Sequence, residues 1–230
     1  MPTTRTVRIG DREVTRIGLG TNRLTNSPEN VEFLQAAVTA GIQFIDTAHV
    51  YTSGESETAI GEAGVAGRAL VATKGGMGAG RGRPEVLAAE IEESLRRLRV
   101  DRIDLYYLHR VDPETPLEDS LGAIKAYQDR GQIGHVGISN VTVEQVELAR
   151  QVVDVAAVQN AFNFAERRHE PVLDYCERQG IVFVPYIPLR TERSPKEALT
   201  WLLERSPLLL PIPGSLNLDH VRENLAALDS

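Results

Sequence analysis

Four residues have side chains that together suit one kind of proton transfer: Asp46, Tyr51, Lys74 and His109. A free phenol, with a pKa of ~10, is a poor acid at neutral pH. An ammonium in contact favours the phenolate and lowers that pKa, and a carboxylate beyond the ammonium keeps it charged and in place. A neutral imidazole can hydrogen-bond an oxygen and fix its approach. Such a group delivers a proton to an oxygen that is gaining negative charge, as carbonyl reduction requires once hydride reaches carbon. No side chain supplies hydride, so this reading needs a nicotinamide cofactor. Taken singly, each residue has a plainer reading. Asp46 and Lys74 could form a structural ion pair, Tyr51 could be a packed loop aromatic, and His109 a satisfied polar edge.

The elements that must position these groups follow from eight short apolar runs: Ile17–Gly20, Phe44–Asp46, Leu70–Thr73, Ile103–Leu108, His135–Ile138, Val155–Val158, Ile181–Val184 and Leu208–Leu210. Runs of this kind suit parallel strands covered on both faces. Amphipathic stretches separate them and predict helices over Pro28–Ala40, Glu55–Ala63, Pro84–Arg99, Leu117–Arg130, Val143–Val153, Glu170–Gln179, Pro195–Arg205 and Leu218–Leu228. Ahead of them, Thr6–Ile9 and Arg12–Thr15 flank Gly10-Asp11 as a hairpin with a two-residue turn. Eight regular β-then-α units without a composition break predict one α/β domain over residues 1–230: an N-terminal β-hairpin cap (1–16) and a (β/α)8 TIM barrel (17–230). In such a barrel the loops after the strands carry function. Asp46, Lys74 and His109 follow successive runs and are expected at like positions on adjacent strands, ~4.8 Å apart, with Tyr51 folding back over them. The stretch Gly75–Gly82 fits no dinucleotide-binding glycine register and reads as a mobile loop.

Composition narrows the class. The net charge of −7, without a Lys/Arg run, argues against a nucleic-acid surface. No apolar run approaches the ~20 residues of a membrane span, and the first residues show no leader-like apolar segment, so a cytoplasmic protein is expected. Cys176 is the only cysteine; it reads as a buried structural thiol and leaves no internal disulfide. His49, His109, His135, His169 and His220 show no paired metal-ligand spacing, and no metal is expected.

The ordered set Phe44-Ile-Asp46-Thr-Ala48 with Tyr51, Ala72-Thr-Lys74, Asp104–His109, Gly137–Asn140, Val158–Asn160, Pro185–Leu189 and Ile212-Pro-Gly214 with Glu223-Asn224 resembles the aldo-keto reductases. The resemblance implies Tyr51 as general acid, Lys74 as its partner, Asp46 as anchor and cofactor neighbour, and His109 orienting the carbonyl. It also implies that Ser139, Asn140 and Gln159 hold a nicotinamide carboxamide and that Tyr186 stacks on its ring. Gly20 and Thr21 would approach the cofactor, Leu189 its pyrophosphate, Glu223 and Asn224 the adenine. Ser215 would meet the adenosine phosphate at the start of the last helix. The activity implied is reversible NAD(P)H-dependent reduction of a small aldehyde or ketone to an alcohol.

The chain departs from the family pattern around the 2′-phosphate, where the positions that many members fill with Lys, Ser and Arg read Gly214, Ser215 and His220, with Arg222 near by. NADP(H) is favoured, with NAD(H) possible. The link Arg190–Arg193 is short and no long C-terminal tail follows Leu228, which together imply an exposed cofactor and a shallow pocket. A non-catalytic NADP(H)-binding regulatory or sensor subunit on the same barrel is the alternative, and a lysine Schiff-base lyase acting through Lys74 a more distant one.

Overall fold

The computed structural model describes residues 4–229; Met1-Pro2-Thr3, on which the expectation about a leader segment partly falls, and Ser230 lie outside the described residues. Strands β1 (Thr6–Ile9) and β2 (Arg12–Thr15) pair antiparallel across Gly10-Asp11 as the sequence predicts. Gly10 has φ +55°, and a Cβ there would lie 2.0 Å from the His135 ring, so the turn requires glycine twice over. Val7, Ile9 and Val14 pack against Phe44, Leu70, Leu105, Val182 and Leu210. The hairpin thereby plugs the end of the barrel opposite the strands' C-termini.

Seven parallel strands follow in sequence order: β3 (Leu19–Gly20), β4 (Phe44–Asp46), β5 (Leu70–Gly75), β6 (Ile103–Leu108), β7 (Ile133–Ser139), β8 (Val155–Gln159) and β9 (Val182–Phe183). The eighth apolar run does not form a regular strand. It still closes the (β/α)8 barrel, bridging Phe183 to Leu209 on one side and Gly20 to Gly214 on the other. Leu210 N–H donates to Phe183 O at 3.0 Å, while Gly18 and Gly20 N–H donate to Pro211 O and Pro213 O at 3.0 and 3.1 Å. Pro211 and Pro213 have no N–H to return, so a two-way ladder cannot form there.

Around the sheet lie α1 (Pro28–Thr39), α2 (Glu55–Ala63), α3 (Pro84–Leu98), α4 (Leu117–Asp129), α5 (Val143–Ala149), α6 (Glu170–Gln179), α7 (Pro195–Arg205) and α8 (Leu218–Leu225). Two differ from the sequence expectation by more than one residue. α5 stops at Ala149 rather than Val153, and after α8 the chain tightens into a 3-10 turn over Ala226–Asp229. Ser194 and Thr142 close full capping boxes at the starts of α7 and α5. Cys176 is wholly buried in the core between α6 and the sheet.

The expectation of like positions on adjacent strands needs correction. Asp46 pairs with Ala72, so Lys74 stands two residues further along; Lys74 pairs with Tyr107, and His109 is again two residues on. Tilted barrel strands are staggered, so side chains at one height come from offset register positions. Each offset is even, which keeps all three side chains on the same face.

Candidate active site

At the C-terminal mouth Lys74 is fully buried, and its ammonium donates to Asp46 Oδ1 at 2.7 Å and to Thr47 O at 2.7 Å. Gln159 Nε2 donates to the other carboxylate oxygen, Oδ2, at 2.8 Å. A buried ion pair survives desolvation when its remaining atoms are hydrogen-bonded in this way. Burial works against the Lys74 ammonium, but Asp46 and Tyr51 outweigh it and push its pKa above the ordinary lysine value. Lys74 is therefore a held cation, unlike the free amine that Schiff-base chemistry needs.

The Tyr51 ring lies with its centroid 5.0 Å from Lys74 Nζ, and its centroid is 6.1 Å from that of His109 in an edge-to-face arrangement. Burial raises the phenol's pKa above the usual tyrosine value and outweighs the opposing pull of Lys74. The sequence reading expected a net lowering; here desolvation wins, and the phenol stays protonated through neutral pH. Burial, with the cations Lys74 and Arg110, pushes His109 down to about 3, which keeps its imidazole neutral as expected. His109 Nδ1 is buried and has no hydrogen-bond partner among the described residues.

The loop carrying Tyr51 is held from behind by residues that sequence reasoning missed. It extends the β4–β5 ladder through Thr47 N–H to Ala72 O (2.8 Å) and His49 N–H to Lys74 O (2.9 Å). Thr52, Ser53 and Gly54 then take φ values of +46°, +56° and +93° in succession. A β-branched threonine there is strained and needs its surroundings to hold it. Arg97 of α3 supplies the hold, donating to His49 O (3.1 Å) and reaching Glu57 Oε2 (3.3 Å). Its guanidinium lies against Gly54, where a Cβ would come within 2.3 Å of Cζ. Glu57 is fully buried and accepts from Thr73 Oγ1 at 2.6 Å. Ser56 joins Thr21 and Thr47 through hydroxyl contacts of 2.8 and 2.7 Å. A signal was present: Glu90, Ser94 and Arg97 form a polar line at helical spacing beside the apolar stripe of α3.

A cavity of about 600 Å³ opens above these groups, within the usual range for a ligand site. Tyr51, His109, Ser139, Asn140, Gln159 and Tyr186 all line it. Asn140, at φ +59°, ties its two sides together. Its amide donates to His109 O (3.1 Å) and its Oδ1 accepts from Tyr186 Oη (2.8 Å).

Against known proteins, the model of the Aldo/keto reductase family matches residues 16–197. This chain belongs to that family. It is 39% identical to an uncharacterized oxidoreductase of Schizosaccharomyces pombe over 96% of this chain and 84% of the relative. It is 30% identical to the pyridoxine 4-dehydrogenase of Escherichia coli, over 96% and 92% of the two chains. Among solved structures, an aldo-keto reductase from Klebsiella pneumoniae in complex with NADPH superposes with a TM-score of 0.88. It is 28% identical, with 98% of this chain and 90% of that chain covered. Membership makes an oxidoreductase role the general assignment.

In this aldo/keto reductase the remaining sequence-predicted positions divide. Gly20, Thr21, Leu189 and Gly214 line the same cavity. A Cβ at Gly20 would sit 2.8 Å from Ile212 O, so the close approach of β3 to the closing segment requires glycine. Ser215 lies in a small depression beside Gly20 and Gly214, three residues before α8, where its hydroxyl accepts from Asn217 N–H at 3.0 Å. His220, Glu223 and Asn224 are carried on α8 and line neither space. Arg222 is engaged with Asp219 at 3.0 Å. The glycine stretch expected to be mobile is instead tied down. Gly76 N–H donates to Glu90 at 2.6 Å, and Gly80 and Gly82 N–H donate to the two oxygens of Asp112 at 3.0 and 2.8 Å. His135 meets Asp11 at the plugged end, remote from the mouth. Among the described residues no helix is long and apolar enough to cross a membrane, and no three His, Cys, Asp or Glu are grouped to hold a metal ion.

Proposed function

We propose that the chain is an NADP(H)-preferring reductase that converts a small aldehyde or ketone to an alcohol, reversibly. The observation that carries this is the wholly buried Lys74 ammonium, fixed by Asp46 at 2.7 Å and 5.0 Å from the Tyr51 ring, beneath a cavity that His109 also lines.

The residues present fit a nicotinamide cofactor. The cavity is roomy, Tyr186 lines it, and Ser139, Asn140 and Gln159 line it too, their polar groups held in place by hydrogen bonds to one another, to His109 O and to Asp46. When bound, the cofactor supplies the hydride. His109, neutral, donates a hydrogen bond to the carbonyl oxygen and sets its approach. Tyr51, protonated at neutral pH, gives its proton to that oxygen as charge develops there. Lys74 stabilises the resulting phenolate, and Asp46 keeps Lys74 in place. NADP(H) is preferred because a structural relative is an NADPH complex and because Arg23 and Arg190 stand at the mouth with guanidiniums unpaired among the described residues. The groups nearest the expected 2′-phosphate position are weak, so the preference over NAD(H) is modest.

The test is NADPH oxidation with 4-nitrobenzaldehyde, together with cofactor titration by fluorescence. Tyr51→Phe is expected to lose turnover at least about a hundredfold while retaining NADPH affinity. Turnover that survives this substitution overturns the assignment of the proton donor. NADPH binding by the wild type without turnover of any carbonyl in a panel would establish a sensor or regulatory subunit instead.

A further inference from the structure

Three arginines, Arg23, Arg110 and Arg190, stand around the cavity mouth, all exposed. None of the three guanidiniums meets a carboxylate or other side-chain partner among the described residues, whereas Arg81, Arg83, Arg99 and Arg205 are each paired. Among the described residues the only acid in the cavity wall is Asp46, already neutralised by Lys74. A chain of net charge −7 thus surrounds this opening with unopposed positive charge. Free cations around a concave site raise the local concentration of anions.

The three are not equivalent. Arg23 also borders the small depression with Gly214 and Ser215, and Arg190 follows Leu189, so both lie on the side assigned above to the cofactor's phosphates. Arg110 follows His109 directly, on the β6 side of the mouth, next to the group assigned to the reacting carbonyl. Its charge is felt there, since it helps to keep the His109 imidazole neutral. We propose that Arg110 is the substrate's anion receptor, and that the preferred substrates are small aldehydes or ketones bearing a carboxylate or phosphate close to the reducible carbonyl. A guanidinium presents paired N–H donors that match the oxygens of either anion. The inference rests on the catalytic reading above for the place of the carbonyl.

The experiment compares matched pairs. These are 4-carboxybenzaldehyde against methyl 4-formylbenzoate for the carboxylate, and glyceraldehyde 3-phosphate against glyceraldehyde for the phosphate. In the wild type kcat/KM is expected to favour at least one anionic member by roughly fivefold to tenfold. In Arg110→Met that ratio is expected to fall to about one, and in Arg110→Lys to an intermediate value, while Arg190→Met keeps the wild-type ratio and weakens NADPH binding. A wild-type ratio near one for both pairs, a ratio that survives Arg110→Met, or an equal fall in Arg190→Met overturns the proposal. Calorimetric titration of the same compounds, with and without NADP+, reads the discrimination without turnover. Arg110-dependent anion binding with no reduction would leave the anion site standing and remove the proposed reaction. Reduction without discrimination would do the reverse, and loss of both would remove both.

Discussion

The buried imidazole of His109 makes a quantitative demand on stability. Its pKa falls from 6.5 to about 3 on folding, with burial the largest cause and Lys74 and Arg110 adding to it. The residue is only 7% exposed, so solvent does little to screen these effects. Between pH 6.5 and 3 the unfolded chain binds a proton at this position that the folded chain refuses. Stability from this group is therefore complete above pH 6.5 and is lost as the pH falls. At pH 5 the unfolded histidine is ~97% protonated and the folded one ~1%, which corresponds to a loss of about 2 kcal/mol relative to pH 8. The figure hardly depends on the folded value, provided that this lies below about 4. His109→Gln removes the titration while retaining a polar side chain of similar length. Urea unfolding at pH 8 and pH 5 should show the wild type losing about 2 kcal/mol more than the variant, a relative midpoint shift of roughly 1 M. Parallel losses in the two proteins would mean that His109 is protonated when folded, and the neutral imidazole of the proposed mechanism would be wrong.

Two further outcomes follow from the surroundings of Tyr51. Arg97→Met releases the backbone of His49 and the support under Gly54. It should lower kcat by about tenfold or more through misplacement of the phenol, with the NADPH dissociation constant within about twofold of the wild type; an unchanged kcat would show that the loop holds itself. Lys74→Met strands the buried Asp46 carboxylate and should cost about 3–5 kcal/mol in urea unfolding, with much of that recovered in the Lys74→Met, Asp46→Asn double variant. A double variant no more stable than the single would argue that the pair is not energetically coupled.

The barrel was legible because its signals are local and repeated. Apolar runs followed by amphipathic stretches gave six of the eight helices to within a residue at each end, and the hairpin turn was fixed by Gly10-Asp11. The meeting of the four candidate residues, Asp46, Tyr51, Lys74 and His109, was legible for a related reason, since barrel geometry sends residues that end apolar runs to one face. Properties set by side chains meeting from distant segments were not legible. The burial that raises the Tyr51 phenol depends on what covers it, and no spacing rule reports that. The anchoring of Gly75–Gly82 comes from Asp112 and Glu90, on other elements, so glycine content alone suggested mobility. Register stagger also escaped, because tilt belongs to the closed barrel and not to any one strand. The eighth segment carried its own warning in Pro211 and Pro213.

Arg5 pairs with Asp229, and Arg16, buried beneath them, donates to the carbonyls of Thr4, Leu203 and Leu209. Both extremities of the described chain are thus moored on the underside, beside the hairpin plug. A dye, a solid support or a fused protein joined at either extremity would emerge facing away from the opening. Such attachments leave small molecules free to enter and depart, so the molecule can be tethered by its base without obstructing its working surface.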